Sequence, residues 1–343
     1  MGGVREAERR ARDVLDPVHF DFLAGGAGAE RTLTDNEAAF ARRRLLPRVL
    51  RGPGGVDLAT TLLGTTLRSP VLVAPTAFHR LAHPDGEVAT AAGVAAAGSL
   101  LTLSMMATTA VEQVTAVGAP VWFQLYVQPD RDLTVRLVRR AEAAGCRALV
   151  LTVDSPVRGR HTRDARHGFT DLPPGMACEN LRGPDGAVRD LVVDPDLGWD
   201  AVDRLREVTT LPVVLKGVLH PEDARLAVEH GVDGVVVSNH GGRQLDGAVS
   251  TLDALPGVVA AVGRRVPVLL DGGVRSGGDA LVALALGADA VMLGRPVLWG
   301  LALAGADGVR AHLEAVADEL AHAMALVGAH RPDELTPDLV VVP

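Results

Sequence analysis

The chain has 343 residues, of which 48% are hydrophobic, and its formal net charge is −8. The charge is negative and no basic stripe appears, so nucleic-acid binding is not expected. No apolar run reaches the roughly 18 residues that a membrane-spanning helix needs, and the opening residues MGGVREAERRARDVL resemble no secretory signal, so we expect a cytoplasmic protein that binds no membrane.

Residues 1–65 come before the first predicted strand and are predicted to form a helical extension ending in a loop. Eight short β-rich runs follow. They are VLVAP from Val71, LLTLS from Leu100, VWFQLYV from Val121, ALVLTVD from Ala148, PVVLKG from Pro212, GVVVSNH from Gly234, PVLLDGG from Pro267 and AVMLGRP from Ala290. Each run is apolar on both faces, which is typical of strands buried in a parallel sheet.

Amphipathic stretches separate these runs. DRDLTVRLVRRAEAAG, from Asp130, keeps Leu133, Leu137 and Ala141 on one face at helical spacing. Strand and helix alternating eight times predict a (β/α)8 barrel over residues 66–330, within a single domain that spans 1–343. Residues 155–199, rich in Gly, Pro and charge, are predicted to form a long lid loop after the fourth strand.

Polar side chains stand where several of the runs end. The active site of such a barrel lies at the carboxyl ends of the strands. Lys216 and Tyr126, the only lysine and tyrosine of the chain, are both there. The set comprises Gln124, Tyr126, Thr152, Asp154, Lys216, Ser238, His240 and Arg243. Residues two apart on a strand point to the same side, so the pairs within this set can face one site.

The last two runs end in a different chemistry. DGGVRSGG, from Asp271, is a glycine-rich loop that contains Arg275, and LGRP, from Leu293, contributes Gly294 and Arg295. Glycines let backbone N–H groups approach a phosphate, and an arginine can bind it bidentately. Loops after the seventh and eighth strands of barrels often bind phosphate, so we predict a phosphate-bearing cofactor there.

Other cofactor and metal patterns are weaker. GGAGAE, from Gly25, follows no strand and no Walker motif occurs, so a Rossmann or P-loop nucleotide site is not expected. His79 and His83 lie in a predicted loop with no carboxylate to complete a metal site. Cys146 and Cys178 fit neither a disulfide framework nor a zinc pattern. We therefore predict no metal.

The segment SNHGGRQLDG, residues 238–247, combines a tight turn with reactive side chains. Gly241 and Gly242 allow the backbone to turn sharply, which brings His240 and Arg243 into one loop. The polar residues Asn239 and Asp246 of the segment are assigned to hydrogen bonding within the loop.

These motifs, together with VAPTA and WFQLYV, resemble the FMN-dependent 2-hydroxy acid oxidases and dehydrogenases, such as glycolate, lactate and hydroxymandelate oxidases and mandelate dehydrogenase. The resemblance spans nearly the whole chain and implies FMN as cofactor. The positions that it assigns to FMN are Pro75, Thr76 and Ala77 along the flavin; Ser104, Gln124 and Thr152 at the ring edge or ribityl chain; Lys216 near N1 and the C2 oxygen; Ser238 on the ribityl side; and Asp271, Gly272, Gly273, Val274, Arg275, Gly294 and Arg295 at the ribityl chain and phosphate.

The resemblance also implies oxidation of an (S)-2-hydroxy acid to the 2-oxo acid. His240 would be the general base, with an intrinsic pKa suited to neutral pH, and Asp154 would orient it. Arg243 would pair with the substrate carboxylate and Tyr126 would bond the substrate oxygen, while Lys216 would stabilise negative charge on the reduced flavin. The sequence leaves open whether hydride or a carbanion is transferred and whether oxygen, a quinone or another acceptor takes the electrons. The family also implies a homo-oligomer, a tetramer.

Three positions in the expected substrate pocket depart from the family pattern. Phe22 replaces a tyrosine that helps bind the carboxylate, His161 stands where a further arginine is usual, and Met106 stands where a tryptophan is frequent. One interpretation is that Arg158, Arg160 or Arg163 compensates and that the substrate is a small hydroxy acid such as lactate or glycolate. The other is a bulkier or aryl substrate, as in hydroxymandelate oxidases.

Two further alternatives are kept. An FMN-dependent barrel without net redox, such as an isopentenyl diphosphate isomerase, should lack the pair His240 and Arg243. A barrel that binds FMN or a partner without doing chemistry would explain the altered positions but not the retained polar set.

Overall fold

Eight parallel strands close into a barrel, and each comes from one of the predicted runs. The structure is a computed structural model that describes residues 3–52 and 54–342. The strands are β1 (Val71–Val73), β2 (Leu101–Ser104), β3 (Val121–Leu125), β4 (Leu149–Thr152), β5 (Val213–Val218), β6 (Gly234–Val237), β7 (Val268–Asp271) and β8 (Ala290–Leu293). They are hydrogen-bonded in chain order, and β8 pairs with β1. The predicted (β/α)8 barrel is confirmed.

Helices surround this barrel and precede it. The three of the N-terminal extension are α1 (Val4–Val14), α2 (Pro17–Ala24) and α3 (Arg31–Ala41). The others are α4 (Gly86–Ala97), α5 (Val111–Thr115), α6 (Arg131–Ala143), α7 (Thr162–His167), α8 (Trp199–Val208), α9 (Pro221–Glu229), α10 (Thr251–Val262), α11 (Gly277–Ala285) and α12 (Arg295–Val327). Each of these follows a barrel strand, with both α7 and α8 after β4. Helix α12 is broken by non-helical backbone at Ala304 and Gly305.

The extension contains more than the predicted helices and loop. Thr60–Leu62 and Thr65–Leu67 form an antiparallel hairpin across a two-residue turn. Its buried Leu62 and Leu67 pack with residues from inside the barrel, among them Leu72. The hairpin therefore closes one end of the barrel interior. Its turn, Leu63–Gly64, lacks the Asn-Gly or Asp-Gly signal that marks hairpins in a sequence.

Side chains along each strand point alternately into the barrel and outward to the helices. At the carboxyl ends of the strands, the inward side chains are polar. Trp122, Val150 and Val214 belong to the interior cluster, whereas their neighbours in sequence pack outward against the helices. Two residues further along β3 and β4, the same inward side carries Gln124 and Thr152, because side chains repeat every second residue. The inward face thus changes from apolar to polar at the carboxyl ends of the strands.

The predicted lid, 155–199, is mostly irregular and contains α7 and a single 3₁₀ turn, Glu179–Leu181. Ion pairs attach its first part to the extension. Arg163 lies 3.3 Å from Asp21 and 2.6 Å from Glu30, and His167 lies 2.8 Å from Asp21. In residues 3–52 and 54–342, no helix is both long and apolar enough to cross a membrane.

Candidate active site

A cavity of about 810 Å³ opens at the carboxyl ends of the strands. It is lined by every residue predicted for the site except Asp154 and Ser238, which lie behind residues that line it. The lid contributes a further part of the wall, including Phe169, Leu172 and Met176. The volume falls within the range of about 300–1,000 Å³ typical of ligand cavities.

Polar side chains on adjacent strands β2, β3 and β4 bond to one another across the floor of the cavity. Ser104 Oγ donates to Gln124 Oε1 at 3.2 Å, and Gln124 Nε2 donates to Thr152 Oγ1 at 3.0 Å. Strand pairing sets Ser104 beside Gln124 and Thr152 beside Lys216. All three side chains are buried, so they present fixed donors and acceptors to whatever occupies the cavity.

Lys216 continues this floor on β5. Its Nζ donates to Ser238 Oγ at 2.9 Å and lies 3.1 Å from Asp271 Oδ2. The lysine is 3% exposed, so its charge is nearly removed from water, where an ion pair acts more strongly. Asp271 Oδ1 is buried without a partner in the described part of the chain, which leaves an acceptor available to a ligand hydroxyl.

His240 and Asp154 form a dyad. His240 Nδ1 lies 2.9 Å from Asp154 Oδ1, and because a carboxylate only accepts, the proton of this bond is on Nδ1. Nε2 is then free as a base and lies 3.4 Å from the Tyr126 hydroxyl. Burial alone would raise the pKa of Asp154, but the charge and hydrogen bond of His240 and the charge of Lys216 lower it overall. Asp154 is therefore ionised and can stabilise the imidazolium that forms when Nε2 takes up a proton.

The backbone of the His240 loop is held in an unusual conformation. His240 has a φ of 60°, as do few residues other than glycine, and Gly241 and Gly242 follow at 60° and 74°. Asn239 and Asn36 exchange two side-chain hydrogen bonds of 2.9 and 2.7 Å.

Asp246 secures the far side of the same loop. It accepts from Ala29 N and Thr32 N at 2.9 and 3.1 Å. Together with the bonds between Asn239 and Asn36, these contacts tie the loop to the N-terminal extension.

Gly217 was not predicted and is essential to the dyad. A bulge interrupts β5 after Lys216, and Gly217 there has a φ of 110°. A Cβ on this glycine would lie 2.6 Å from the Cβ of Asp154, closer than side chains approach. The conformation and the close approach both require glycine, and neither leaves a signal beyond a glycine at a strand end.

Arg243 reaches the cavity from the same loop as His240. Its Nη1 donates to the carbonyls of Phe22 and Gly25 at 2.9 and 2.8 Å, and its guanidinium lies 5.1 Å from the centre of the Phe22 ring. Burial raises the pKa of Tyr126, and the charge of Asp154 raises it further. The Tyr126 hydroxyl therefore keeps its proton and can donate.

The three positions that depart from the family pattern all line the cavity. The Phe22 ring packs against Phe78 and Phe169, with centroids 5.5 and 5.0 Å apart. Met106 Sδ lies 4.0 Å from the sulfur of Cys178 in the lid. This side of the cavity is therefore mainly apolar.

His161 uses both ring nitrogens within the protein. Nδ1 lies 2.9 Å from Asp164 Oδ2, and Nε2 lies 2.9 Å from the carbonyl oxygen of Arg243. The ring thus supports the Arg243 loop from the lid side, and its polar atoms are already engaged.

The ends of β7 and β8 provide cationic groups suited to a phosphate. Arg275 Nη2 pairs with Glu37 at 3.0 Å, whereas its buried Nε has no partner among residues 3–52 and 54–342. Arg295 donates to three carbonyls of the extension and the His240 loop. Burial is the main cause that lowers its pKa, and the nearby charges of Arg243 and Arg275 lower it further, against partial opposition from Glu8 and Glu37. A bound anion would therefore be stabilised by this cluster.

The backbone at the ends of β7 and β8 is also suited to binding a phosphate. Gly272 and Gly273 have φ values of 90° and 87°, and a Cβ on Gly273 would overlap the carbonyl of Asn36. Gly294 precedes the first turn of α12, where free N–H groups attract anions. The unpartnered Arg275 Nε and Asp271 Oδ1, together with the floor of polar side chains, fit FMN with its phosphate at this end.

A buried network behind the β1 loop was also missed. His79 Nε2 lies 2.7 Å from Thr76 Oγ1, and Nδ1 lies 2.8 Å from Thr90 Oγ1. Glu87 on α4 accepts from the backbone N–H groups of His79 and Thr108 at 3.0 and 2.9 Å. The network joins the loops that follow β1 and β2, and only its position in the fold distinguishes it in sequence. In the described ranges no three His, Cys, Asp or Glu side chains gather as a metal site.

Comparisons with known proteins agree with this geometry. The family model of the FMN-dependent dehydrogenases matches residues 11–342. The chain is 46% identical to L-lactate oxidase of Nostoc sp., over 96% of this chain and 95% of that protein. It is 48% identical to 4-hydroxymandelate oxidase of Amycolatopsis orientalis, over 94% and 93%.

A solved structure extends the likeness to three dimensions. The crystal structure of mandelate oxidase with (S)-2-phenylpropionate superposes with a TM-score of 0.92 at 47% identity, covering 97% of this chain and 96% of that one. The match includes the extension, the barrel and the lid. The chain therefore belongs to the FMN-dependent dehydrogenases, the family that includes these 2-hydroxy acid oxidases, and FMN is its cofactor.

Proposed function

We propose that the protein oxidises an (S)-2-hydroxy acid to the 2-oxo acid, with His240 as the general base. The dyad is the observation that carries this proposal: Asp154 holds the proton on Nδ1, and Nε2 is left free beside Tyr126. Whether the α-hydrogen leaves as hydride or as a proton, Nε2 accepts the proton that the substrate loses. FMN, when bound, accepts the two electrons.

Substrate orientation falls to two neighbours of the dyad. Arg243, a half-buried cation with no ion-pair partner in the described residues, binds the substrate carboxylate and fixes which face of the α-carbon is presented. Tyr126 donates a hydrogen bond from its hydroxyl to the substrate oxygen, because its raised pKa keeps the hydroxyl protonated. Both groups lie near His240, which places the α-carbon between base and cofactor.

The cofactor is assigned to the remaining predicted residues. Lys216, buried beside Asp271, would stabilise negative charge at N1 and the C2 oxygen. Groups on the strand ends and the β7 and β8 loops hold the rest of FMN: Pro75, Thr76, Ala77, Ser104, Gln124, Thr152, Ser238, Asp271, Gly272, Gly273, Val274, Arg275, Gly294 and Arg295.

For the substrate itself we favour an aryl or otherwise bulky hydroxy acid. Phe22, Met106, Phe169 and Leu172 make the wall opposite the floor apolar, which suits a ring better than a methyl group. The relatives named 4-hydroxymandelate oxidase and mandelate oxidase support this preference. The second candidate is a small aliphatic hydroxy acid, supported by the L-lactate oxidase at 46% identity.

An anaerobic substrate screen tests both candidates. FMN-loaded enzyme is mixed with mandelate, 4-hydroxymandelate, lactate or glycolate, and loss of the yellow absorbance is followed before oxygen is admitted. Bleaching by a hydroxy acid supports the reaction, and faster bleaching by the aryl acids supports the substrate preference. Faster turnover of glycolate than of mandelate would remove that preference, and no bleaching by any hydroxy acid would contradict the reaction.

The same experiment addresses the electron acceptor. Return of the yellow colour within a turnover time after oxygen is added identifies an oxidase. Slow return, with fast return on adding a quinone, identifies a dehydrogenase. The similarity to L-lactate oxidase and 4-hydroxymandelate oxidase favours oxygen as the acceptor.

We also propose that the chain acts in the cytoplasm as a homo-oligomer, a tetramer, in which the extension 1–65, the barrel 66–330 and the lid 155–199 form one unit. Exposed apolar side chains support assembly, because Leu46, Val49, Leu50 and Val342 lie near the paired strands Arg44–Leu45 and Val340–Val341. Light scattering on the purified protein measures the oligomer, and a monomer would contradict this assignment.

A further inference from the structure

The two polar groups that would accompany Arg243 at the substrate carboxylate are absent from their usual positions. Phe22 offers a ring without a hydroxyl, and both nitrogens of His161 are engaged by Asp164 and the Arg243 carbonyl. Nη1 of Arg243 already donates to the backbone carbonyls of Phe22 and Gly25. A carboxylate held by the remaining N–H groups of Arg243 alone would keep part of its hydrogen-bonding capacity unmet.

Three arginines of the lid lie within three residues of His161 in sequence. The structure shows which of them reaches the cavity. Arg163 is paired with Asp21 and Glu30, outside the cavity lining. Arg160 is exposed and also outside the lining. Arg158 does line the cavity, and within residues 3–52 and 54–342 its guanidinium has no hydrogen-bond acceptor or ion-pair partner.

The chain geometry next to Arg158 explains its placement. Gly159 packs so tightly beneath the loop of His240 that a Cβ would overlap the carbonyl of Arg243. This contact fixes the start of the lid against the Arg243 loop, and Arg158 is the residue before it. Arg158 and Arg243 therefore line one cavity from adjoining segments.

Two like charges near each other destabilise the empty site. Burial is the main cause that lowers the pKa of Arg243, and the charge of Arg158 lowers it further, whereas the charges of Asp164, Tyr126 and Glu30 oppose the shift. Neither guanidinium has a carboxylate partner in the described protein, so an anion between them would relieve the repulsion and receive charge-assisted hydrogen bonds from both sides.

We propose that Arg158 is the second cation that binds the substrate carboxylate, in place of the groups absent at positions 22 and 161. This assignment rests on the proposed function and adds a specificity-determining residue to it. Since Arg158 is exposed and belongs to the lid, the carboxylate would be held between the barrel loop and the start of the lid. A 2-hydroxy acid would then be distinguished from its uncharged derivatives mainly by this pair of arginines.

The test compares Arg158→Leu with Arg160→Leu, a matched loss of one exposed arginine from the same segment. Each variant is titrated, in its oxidised FMN-loaded form, with the 2-oxo acid of the best substrate, and Kd is read from the change in flavin absorbance. We expect Arg158→Leu to raise Kd about tenfold to a hundredfold, as for loss of a charge-assisted hydrogen bond. Arg158→Lys should be intermediate, and Arg160→Leu should stay within about twofold of the wild type.

An uncharged ligand gives the second arm. The amide of the same acid should bind wild type and Arg158→Leu with nearly equal Kd, because only the carboxylate interacts with the second cation. Equal Kd values for the carboxylate in Arg158→Leu and Arg160→Leu, or an equal loss with the amide, would overturn the proposal.

The binding measurement also separates this proposal from the proposed function. If hydroxy acids bleach the wild-type flavin but Arg158→Leu binds the oxo acid normally, only the role of Arg158 fails. If the oxo acid binds tightly in an Arg158-dependent way but no hydroxy acid bleaches the flavin, only the proposed reaction fails. A wild-type enzyme that binds no carboxylate contradicts both.

Discussion

The floor and the roof of the active-site cavity are built differently. On the floor, formed by the strand ends and their short loops, polar groups bond to polar groups on neighbouring strands, as in the row from Ser104 to Thr152. On the roof, formed by α2 and the lid, apolar side chains such as Phe22 and Phe169 line the cavity together with the charged Arg158. Arg163, by contrast, attaches the lid to the extension. Of the three positions that depart from the family pattern, Phe22 and His161 belong to the roof, whereas Met106 lies in the loop that follows β2.

This contrast separates the reaction from its substrate. A floor residue has several partners, so a change there disturbs the dyad or the cofactor groups together. The ring of Phe22 on the roof packs against Phe78, Phe169 and the Arg243 guanidinium. It bonds to no member of the dyad, so a change there leaves the dyad in place. We therefore expect floor substitutions to reduce the rate strongly and roof substitutions to change which acid is preferred.

The largest effect is expected from His240→Ala on the floor. Loss of a general base typically lowers the rate about 10²- to 10⁴-fold, and the Ser155 hydroxyl, which also donates to Asp154 Oδ1 at 3.0 Å, is not a base at neutral pH. Stopped-flow measurement of anaerobic flavin bleaching gives the rate. The variant should still purify yellow, because His240 is not among the groups assigned to FMN; bleaching at a near-normal rate would show that another residue is the base.

Gly217→Ala should disturb the same dyad indirectly. The added Cβ would lie 2.6 Å from the Cβ of Asp154, so the carboxylate has to move away from His240. A displacement of about 1 Å in a catalytic group can cost about 10²-fold in rate, and we expect a loss of up to that size in kcat.

Gly118→Ala is the matched control for this variant. Gly118 also has a positive φ, of 92°, but a Cβ there would meet nothing within 4 Å. Both alanines should lower the free energy of unfolding by about 1–3 kcal/mol through backbone strain, and only Gly217→Ala should lower kcat. Equal kcat values in the two variants would mean that the bulge does not position Asp154.

Glu87→Gln tests the buried network that joins the loops following β1 and β2. Burial alone would raise the pKa of Glu87, but the nearby His79 and the hydrogen bonds from Thr108 and Thr109 lower it overall. At pH 7 the substitution should lower the free energy of unfolding by about 1–3 kcal/mol, because strong acceptors are lost. Because the pKa of Glu87 is lower in the folded protein than its value of about 4.3 in the unfolded chain, the ionised carboxylate stabilises the fold fully above that pH. This stabilisation is lost as the pH falls through the pKa of the folded state.

The stability gap between wild type and Glu87→Gln should therefore narrow below about pH 5, as measured by denaturant unfolding across pH. Glu207→Gln, an exposed carboxylate on α8, is the control and should change stability little at any pH. A gap that stays constant down to acid pH would show that folding leaves the pKa of Glu87 unchanged, and a gap that widens there would show that the folded protein favours the protonated carboxyl.

The floor was largely predictable from the sequence and the roof was not. Apolar runs fixed the strands, and the period of two placed Gln124 and Thr152 on one side, so local pattern determined the polar floor. Gly217 and Glu87 could not be predicted, because their roles depend on contacts between distant segments. Gly217 lies in a bulge against Asp154, and Glu87 bonds to the loops that follow β1 and β2. The engagement of both His161 nitrogens likewise depends on how the lid folds, which has no periodic signal.

The smallest effect is expected on the roof, from Phe22→Tyr. The ring keeps its packing against Phe78 and Phe169, and the new hydroxyl restores the group that the family pattern expects near the carboxylate. One added hydrogen bond contributes about 0.5–1.5 kcal/mol, so KM for lactate or glycolate should fall about twofold to tenfold while kcat changes little. Phe169→Tyr is the matched variant on the same wall, since it adds a hydroxyl to a ring of the lid. If both tyrosines lowered KM equally, general polarity of the roof rather than contact with the carboxylate would set the preference, and the division between floor and roof would hold without a specific role for position 22.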